Sequence, residues 1–512
     1  MTFLHSSDDG IVPYSRGVAL ACLAAVGLAG LVYLNALHNP FVYDDHHTIV
    51  TNASIVRLTN LRAIVRHDVT RPLVNLSYAI DRALWGREPF GFHASSVLLH
   101  MLDVALLFAL ARRLSLRHGS GQAGGFAAFA AAALFAVHPM MTEAVGYISG
   151  RSEVLCAAFF LLALIAGRRW LRGGGARWGG LTIALWAVAL ASKELGAMFP
   201  FVLLAFDVVV ERPEAVERRR RLRAVHAPLI GVAVAAGLIR VAILTRLESP
   251  AQGGIHWSYL LIAAEAVRRY AGLMINPGGQ SIFHEVARID GLFEWRGVVA
   301  LLAVAAMVAA AWALRRRAAV ASFGILWFLL LLVPGAALTA LDVGEPMAEH
   351  RVYLAACGLF LAAGEGLARL DAWAAAAGHR MRLLAPILLT LMIVSFAAET
   401  VLRNAVWRDP VALWRESADL APAHYRPRLL LGEALQDAGR KDEAASEYRA
   451  AIRLRPADVS GYLKLAALLA SMGRLDEARA QLTAVTAIDP QNAQARRALT
   501  ILDQVESRQV RP

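Results

Sequence analysis

The sequence predicts an all-α protein, a polytopic helical membrane domain of about eleven spans followed by a short α-solenoid. Three observations lead there. The chain is 57% hydrophobic and 18% charged over 512 residues, too apolar for a soluble domain. Its arginines concentrate in short links between apolar segments, as membrane topology requires, so the formal charge of +12 is no nucleic-acid signal. Beyond residue 400 the composition changes and a 34-residue period sets in.

The first apolar segment, Val18–Ala36, is longer than a signal-peptide core and lacks a clear small-x-small site after it, so it is expected to span. The stretch 37–90 is too rich in Asp, Arg and Asn to cross and is expected as a polar outer loop. Further spans are expected at about 93–114, 123–137 and 153–167, with the basic runs Arg112–Arg117 and Arg168–Arg172 on the cytoplasmic side. Because Arg218–Arg221 must also lie inside, Trp178–Val210 has to cross an even number of times. It is long for one ~30 Å span and short for two, which predicts a tight hairpin turning at Ser192–Gly196. A span follows at about 225–244. Segment 258–276 carries Glu265, Arg268 and Arg269 in its middle and is expected to lie at the interface without crossing. Spans at about 297–314, 319–340, 350–368 and 383–400, with Arg315–Arg317, Arg380 and Arg382 inside, complete the eleven. Cys22, Cys156 and Cys357 all fall in apolar runs and imply no disulfide framework.

Pro422, Pro456 and Pro490 recur at the 34-residue spacing, as do Gly439 with Gly473 and Asp442-Glu443-Ala444 with Asp476-Glu477-Ala478. This is the tetratricopeptide pattern: small residues let paired helices approach, and each proline ends a repeat. The division expected is a membrane domain over 1–402 and extracytoplasmic repeats over 403–512. The repeats would run over 422–455 and 456–489, with a capping helix over 490–507. Two repeats are few for a free-standing solenoid, so they should lean on the preceding segment Arg403–Leu420 or on the membrane domain. Such repeats usually bind peptides or proteins.

With this orientation the polar clusters fall on the outer side: Asp44-Asp45-His46-His47, Arg71–Tyr78, His138–Glu143, Gly150–Glu153, Lys193-Glu194 and Glu349–Leu354. Ionisable groups cost roughly 2.5–3.5 kcal/mol each at the centre of a span unless paired, so their clustering on one side points to a shared site.

These residues resemble the transmembrane and tetratricopeptide-repeat containing O-mannosyltransferases, within the polyprenyl-phosphate-dependent C-type glycosyltransferase fold. The resemblance rests on Phe41–Asp45, Arg71–Tyr78, His138–Arg151, Ser192–Glu194, Glu349–Leu354 and the junction Arg403-Asn404-x-x-Trp407. It implies transfer of a mannose-like sugar from a polyprenyl-phosphate donor to a hydroxyl, such as Ser or Thr of an exported protein. The composition looks bacterial, which implies an inner-membrane protein with a cytoplasmic N-terminus and periplasmic repeats. The resemblance also assigns the general base to Asp44, the first acid after span one, with Asp45 as runner-up or orienting group.

A leaving phosphate needs fixed cations, for which Arg151, Lys193 and Arg351 are the candidates, with His350 as donor or acid and Arg71 as a weaker one. Lys193 could instead pair with Glu194 or Glu143, and Arg351 with Glu349. His138, Glu143, Glu194, Glu349 and Tyr353 are expected to support the site. Asp44–His47 also reads as a divalent-metal nest, but neighbouring residues rarely face one ion and no Glu-x-x-His spacing accompanies it, so no metal or other cofactor is expected. Two other readings stay open: a glycosyltransferase of the same fold acting on a lipid or polysaccharide, and a membrane-anchored tetratricopeptide scaffold without activity.

Overall fold

The structure, a computed structural model, describes residues 16–116, 121–243, 257–286, 289, 291, 294–340, 345–378 and 381–509. The expected cytoplasmic residues Arg117 and Arg380 lie outside them. All regular structure among the described residues is helical. The chain divides into two units, Met1–Gly278 with Arg288–Ala405, and Gly279–Ala287 with Val406–Pro512.

In the first unit α1 (Arg16–Val32) leads to the polar stretch 37–90, which has helical structure of its own. It carries α2 (Leu61–His67) and α3 (Pro72–Trp85), which share a small core of Ile49, Ile55, Ile64, Val74, Tyr78, Phe92 and Ile148. Asn60 caps α2, and Pro72 opens α3 where its missing N–H costs nothing. The bundle continues with α4 (Pro89–Leu116), α5 (Gly121–Val137), the short α6 (Thr142–Val145), α7 (Arg151–Leu171), α8 (Ala176–Leu190) and α9 (Phe199–Phe206). Next come α10 (Ala215–Arg221), α11 (Ala227–Ile243), α12 (Trp257–Leu273), α13 (Trp295–Leu314), α14 (Ala319–Ala340), α15 (Tyr353–Ala377) and α16 (Leu384–Val406).

Eight helices among the described residues are long and apolar enough to cross a membrane, or nine if α5 and α6, bent by 58°, form one broken span. Of the eleven expected spans, two do not qualify if α5 and α6 form one broken span, and three do not if they are separate. The segment Trp178–Val210 breaks at Ser192–Gly196 into two helices. These, α8 and α9, are only 15 and 8 residues long, with a π-helical stretch Asp207–Glu211 continuing α9. At ~1.5 Å per residue neither helix alone reaches across ~30 Å. Span α13 shows the fit to a bilayer well, since Trp295 at its start and Trp312 near its end are 70% and 67% exposed, as interfacial aromatic belts require.

Helices meet closely where side chains are small. A Cβ on Gly324 would fall 2.1 Å from the Gly358 carbonyl oxygen, so α14 and α15 touch backbone to backbone there. The basic residues at the far end of α7 are neutralised within the bundle, Arg172 by Glu211 at 3.2 Å, while Arg221 meets Asp207 at 2.7 Å.

The second unit holds α17 (Pro410–Leu420), then the antiparallel pairs α18 (Tyr425–Asp437) with α19 (Lys441–Leu454) and α20 (Val459–Ser471) with α21 (Leu475–Ile488), then α22 (Ala493–Gln509). Gly439 and Gly473 both sit at φ +77° in the turns between paired helices, a conformation that favours glycine. Ala444 and Ala478 are fully buried at the equivalent place in each pair. Segment Gly279–Ala287 joins this unit through Phe283, whose ring lies 6.0 Å from Trp414 and 5.6 Å from His424.

Candidate active site

After α1 the chain turns through Tyr43 at φ +53°, a left-handed conformation that costs a non-glycine residue of order 1–3 kcal/mol. The turn sends the two adjacent carboxylates apart. Asp45 is fully buried; its Oδ1 accepts from the Ser149 N–H (2.9 Å) and hydroxyl (2.6 Å), and its Oδ2 from the Val42 N–H (3.2 Å). Burial pushes the Asp45 carboxyl up to about 7 against the pull of those donors. Asp44 is exposed, with its N–H donating to the Tyr147 phenol oxygen at 3.1 Å, and it lines a cavity of about 760 Å³.

One end of this cavity is polar. Arg71 grips Glu194 with two nitrogens, at 2.9 Å from Nη2 and 3.2 Å from Nε. Burial would raise the Glu194 carboxyl, yet the charges of Arg71 and Lys193 hold it down at about 2. Lys193 pairs with Glu153, which is wholly buried in the first turn of α7, and not with Glu194 or Glu143. Arg351 Nη1 donates to the Glu345 carbonyl at 2.7 Å. His350 is held twice by Glu143, through its Nδ1 at 2.7 Å and its backbone N–H at 3.0 Å. A carboxylate partner makes Nδ1 the protonated nitrogen and leaves Nε2 to a ligand. The turn that presents His350 and Arg351 is itself clamped by Tyr270, whose hydroxyl donates to the Ala348 carbonyl (2.7 Å) and accepts from its N–H (2.9 Å).

The other end is apolar, walled by Phe201 of α9, Val234 and Ile239 of α11, Val267 of α12 and Leu331–Leu338 of α14. Pro334 lies inside α14 within that wall. A polar head beside a long apolar cleft suits an amphiphile with a charged headgroup and a hydrocarbon chain.

The structure thus brings Asp44, Arg71, Lys193, Glu194, His350 and Arg351 to one cavity, with Glu143 directly behind His350. Arg151 is a correction. It opens α7 but turns back into the bundle, paired with Asp81 at 2.5 Å and donating to the Phe92 carbonyl at 2.6 Å, with its guanidinium 4.9 Å from the Tyr78 ring centre. It is 0% exposed and lines no part of the cavity. His138 likewise works within the bundle. Its Nδ1 accepts from the Met140 N–H at the break after α5, so Nε2 donates to the Met274 carbonyl at 3.1 Å. Tyr353 donates to Asp103 at 2.9 Å, deep between α4 and α15, and Glu349 is buried; neither lines the cavity. Among the described residues no three His, Cys, Asp or Glu side chains converge as metal ligands.

Sequence reasoning missed Ser149, Tyr147, Tyr270 and Arg240 as parts of this site, and it named Glu153 only within the polar cluster Gly150–Glu153. Arg240 had a legible signal, as the lone charge in the apolar run of α11. The others are ordinary residue types that only the fold brings together.

The tetratricopeptide repeat family model matches residues 397–459 and 429–493. Along most of the chain the similarity is to longer proteins. The Protein O-mannosyl-transferase TMTC1 of Mus musculus is 24% identical over 87% of this chain and 58% of its own length. The Protein O-mannosyl-transferase TMTC4 of Homo sapiens is 26% identical over 88% of this chain and 68% of its own. The Protein O-mannosyl-transferase Tmtc1 of Drosophila melanogaster is 35% identical, over 33% of this chain. The chain spans little more than half the length of the first two mammalian TMTC1 relatives, at 58% and 56%. No solved structure matches it.

Proposed function

From its similarity to protein O-mannosyl-transferases along most of its length, we propose that the chain is a membrane glycosyltransferase. It moves a mannose-like sugar from a polyprenyl-phosphate donor to a hydroxyl, that of a Ser or Thr in an exported protein. The single observation that carries this reading is the cavity, in which Asp44 and four cationic side chains, Arg71, Lys193, Arg240 and Arg351, adjoin a long apolar cleft. The cleft takes the polyprenyl chain, and the cations take the phosphodiester.

The reaction then needs a base, a held phosphate and a route for the proton. Asp44 accepts the proton of the acceptor hydroxyl as its oxygen attacks the anomeric carbon. The bond from that carbon to the phosphate oxygen breaks, and the oxocarbenium-like charge is offset by the Asp44 carboxylate. Arg351 and Lys193 hold the departing phosphate, and His350, oriented by Glu143, faces it with Nε2. Asp45 is a positioning group that fixes the Asp44 turn through Ser149.

In this reading the arginine-rich ends of α7, α10 and α13 face the cytoplasm of a bacterial inner membrane, as the positive-inside rule favours, and the cavity opens towards the periplasm. The repeats bind the acceptor protein or a partner. A scaffold without activity would give no reason for acids and cations from six segments to line one cavity.

The test is transfer of labelled mannose by the purified protein from polyprenyl phosphate mannose to periplasmic proteins. Labelled protein supports the reading. Label found only in lipid or polysaccharide points to a transferase of the same fold with another acceptor, and no transfer from any polyprenyl-linked sugar favours the scaffold.

A further inference from the structure

At the end of α7 away from the cavity, carboxylates answer some of the arginines and leave others without one. Glu211 answers Arg172 at 3.2 Å and Arg168 at 3.8 Å, and Asp207 answers Arg221 at 2.7 Å and His226 at 3.0 Å. Glu217 is shared between Arg220 and Arg221, each at 2.8 Å. Among the described residues, Arg218, Arg219 and Arg223 meet no carboxylate. Arg219, Arg220 and Arg223, spaced on neighbouring turns of one continuous helix, instead surround a shallow depression with Val216 and Ala224.

Two further features say what would fill it. Val216 is 83% exposed and lines the depression beside these guanidinium groups, so cationic and apolar groups share one face. Downstream, α11 turns Val232 and Leu238 outward along one of the eight spans, so its start lies at headgroup level of the bilayer. Guanidinium groups at that depth beside an exposed aliphatic side chain match a phosphate ester carrying an acyl chain. A free phosphate would have no use for Val216.

We propose that Arg219, Arg220 and Arg223 form a binding site for the headgroup of an anionic phospholipid, which seats α10 and its following turn on the membrane surface. The site is separate from the cavity and does not rest on the glycosyltransferase reading.

The test uses the full chain in nanodiscs of equal phosphatidylglycerol and phosphatidylcholine, with the lipid retained after extraction counted by native mass spectrometry. The wild type is expected to retain phosphatidylglycerol over phosphatidylcholine by about fivefold or more, the scale of one basic side chain near an anionic surface. R219Q/R223Q is expected to retain the two lipids equally, and R219K/R223K to keep most of the preference. No preference in the wild type, or an undiminished one in R219Q/R223Q, overturns the proposal. Loss of the lipid on adding inorganic phosphate would also overturn it, since the site would then read a free anion. Should R219Q/R223Q not fold, a photoactivatable phosphatidylglycerol headgroup analogue decides on the wild type. Adducts within Val216–Ala224 support the site, and adducts only elsewhere overturn it.

Discussion

The Asp45 carboxylate accepts two hydrogen bonds from Ser149, one from its N–H at 2.9 Å and one from its hydroxyl at 2.6 Å. This bond pair ties the turn after α1 to the link before α7, and it fixes where the neighbouring Asp44 sits. Burial sets the titration of Asp45. Its carboxyl lies at about 7 folded against an ordinary 3.8, so between those values the folded state binds more protons than the unfolded one. Stability should therefore fall as pH rises from about 4 to about 7. Asp45→Asn removes this group's titration, and its melting temperature in detergent should change less between pH 5 and pH 8 than that of the wild type. An equal change in both proteins would show that other groups carry the pH dependence.

Lys193 and Glu153 are both almost wholly buried, so each depends on the other. Lys193→Met should lower stability by roughly 3–5 kcal/mol, the cost of an orphaned buried charge. Adding Glu153→Leu should restore most of that stability in chemical unfolding. Activity should stay low in the double variant, because the phosphate has lost a cation. Full recovery of transfer would remove Lys193 from the donor site.

Arg151 answers to a different test. Its replacement by Met strands Asp81 and should cost about 3–5 kcal/mol in the same unfolding measurement. The folded fraction should keep the wild-type KM for the donor. A raised KM with unchanged stability would return Arg151 to the phosphate site.

His350 is one-quarter exposed and touches the protein chiefly through Glu143, so His350→Ala should fold normally. If it assists the departing phosphate, kcat should drop about 10²-fold. A drop confined to the melting temperature would make the pair structural.

Much of this arrangement was legible in the sequence, for reasons that differ between residues. The 34-residue period is a direct record of packing, because Gly439 and Gly473 need positive φ and Ala444 and Ala478 need room. Helices as long and apolar as α13 could not be mistaken. The break at Ser192–Gly196 was visible from charge parity, but the shortness of α8 and α9 was not, since it depends on where the chain stops being helical. The direction of Arg151 was hidden because its partners Asp81, Ser96 and Phe92 are 55 to 70 residues away in sequence. Similarly, nothing in two adjacent aspartates tells which one turns inward. The left-handed Tyr43 and the distant Ser149 decide it.

The central claim is that Asp44 is the base. The measurement is initial-rate transfer of labelled mannose from polyprenyl phosphate mannose to periplasmic proteins by purified wild type and Asp44→Asn, with melting curves for both. Asp44 is exposed at the cavity wall, so the variant should melt with the wild type while its rate falls by about 10²-fold or more. A variant that transfers at the wild-type rate would contradict the account.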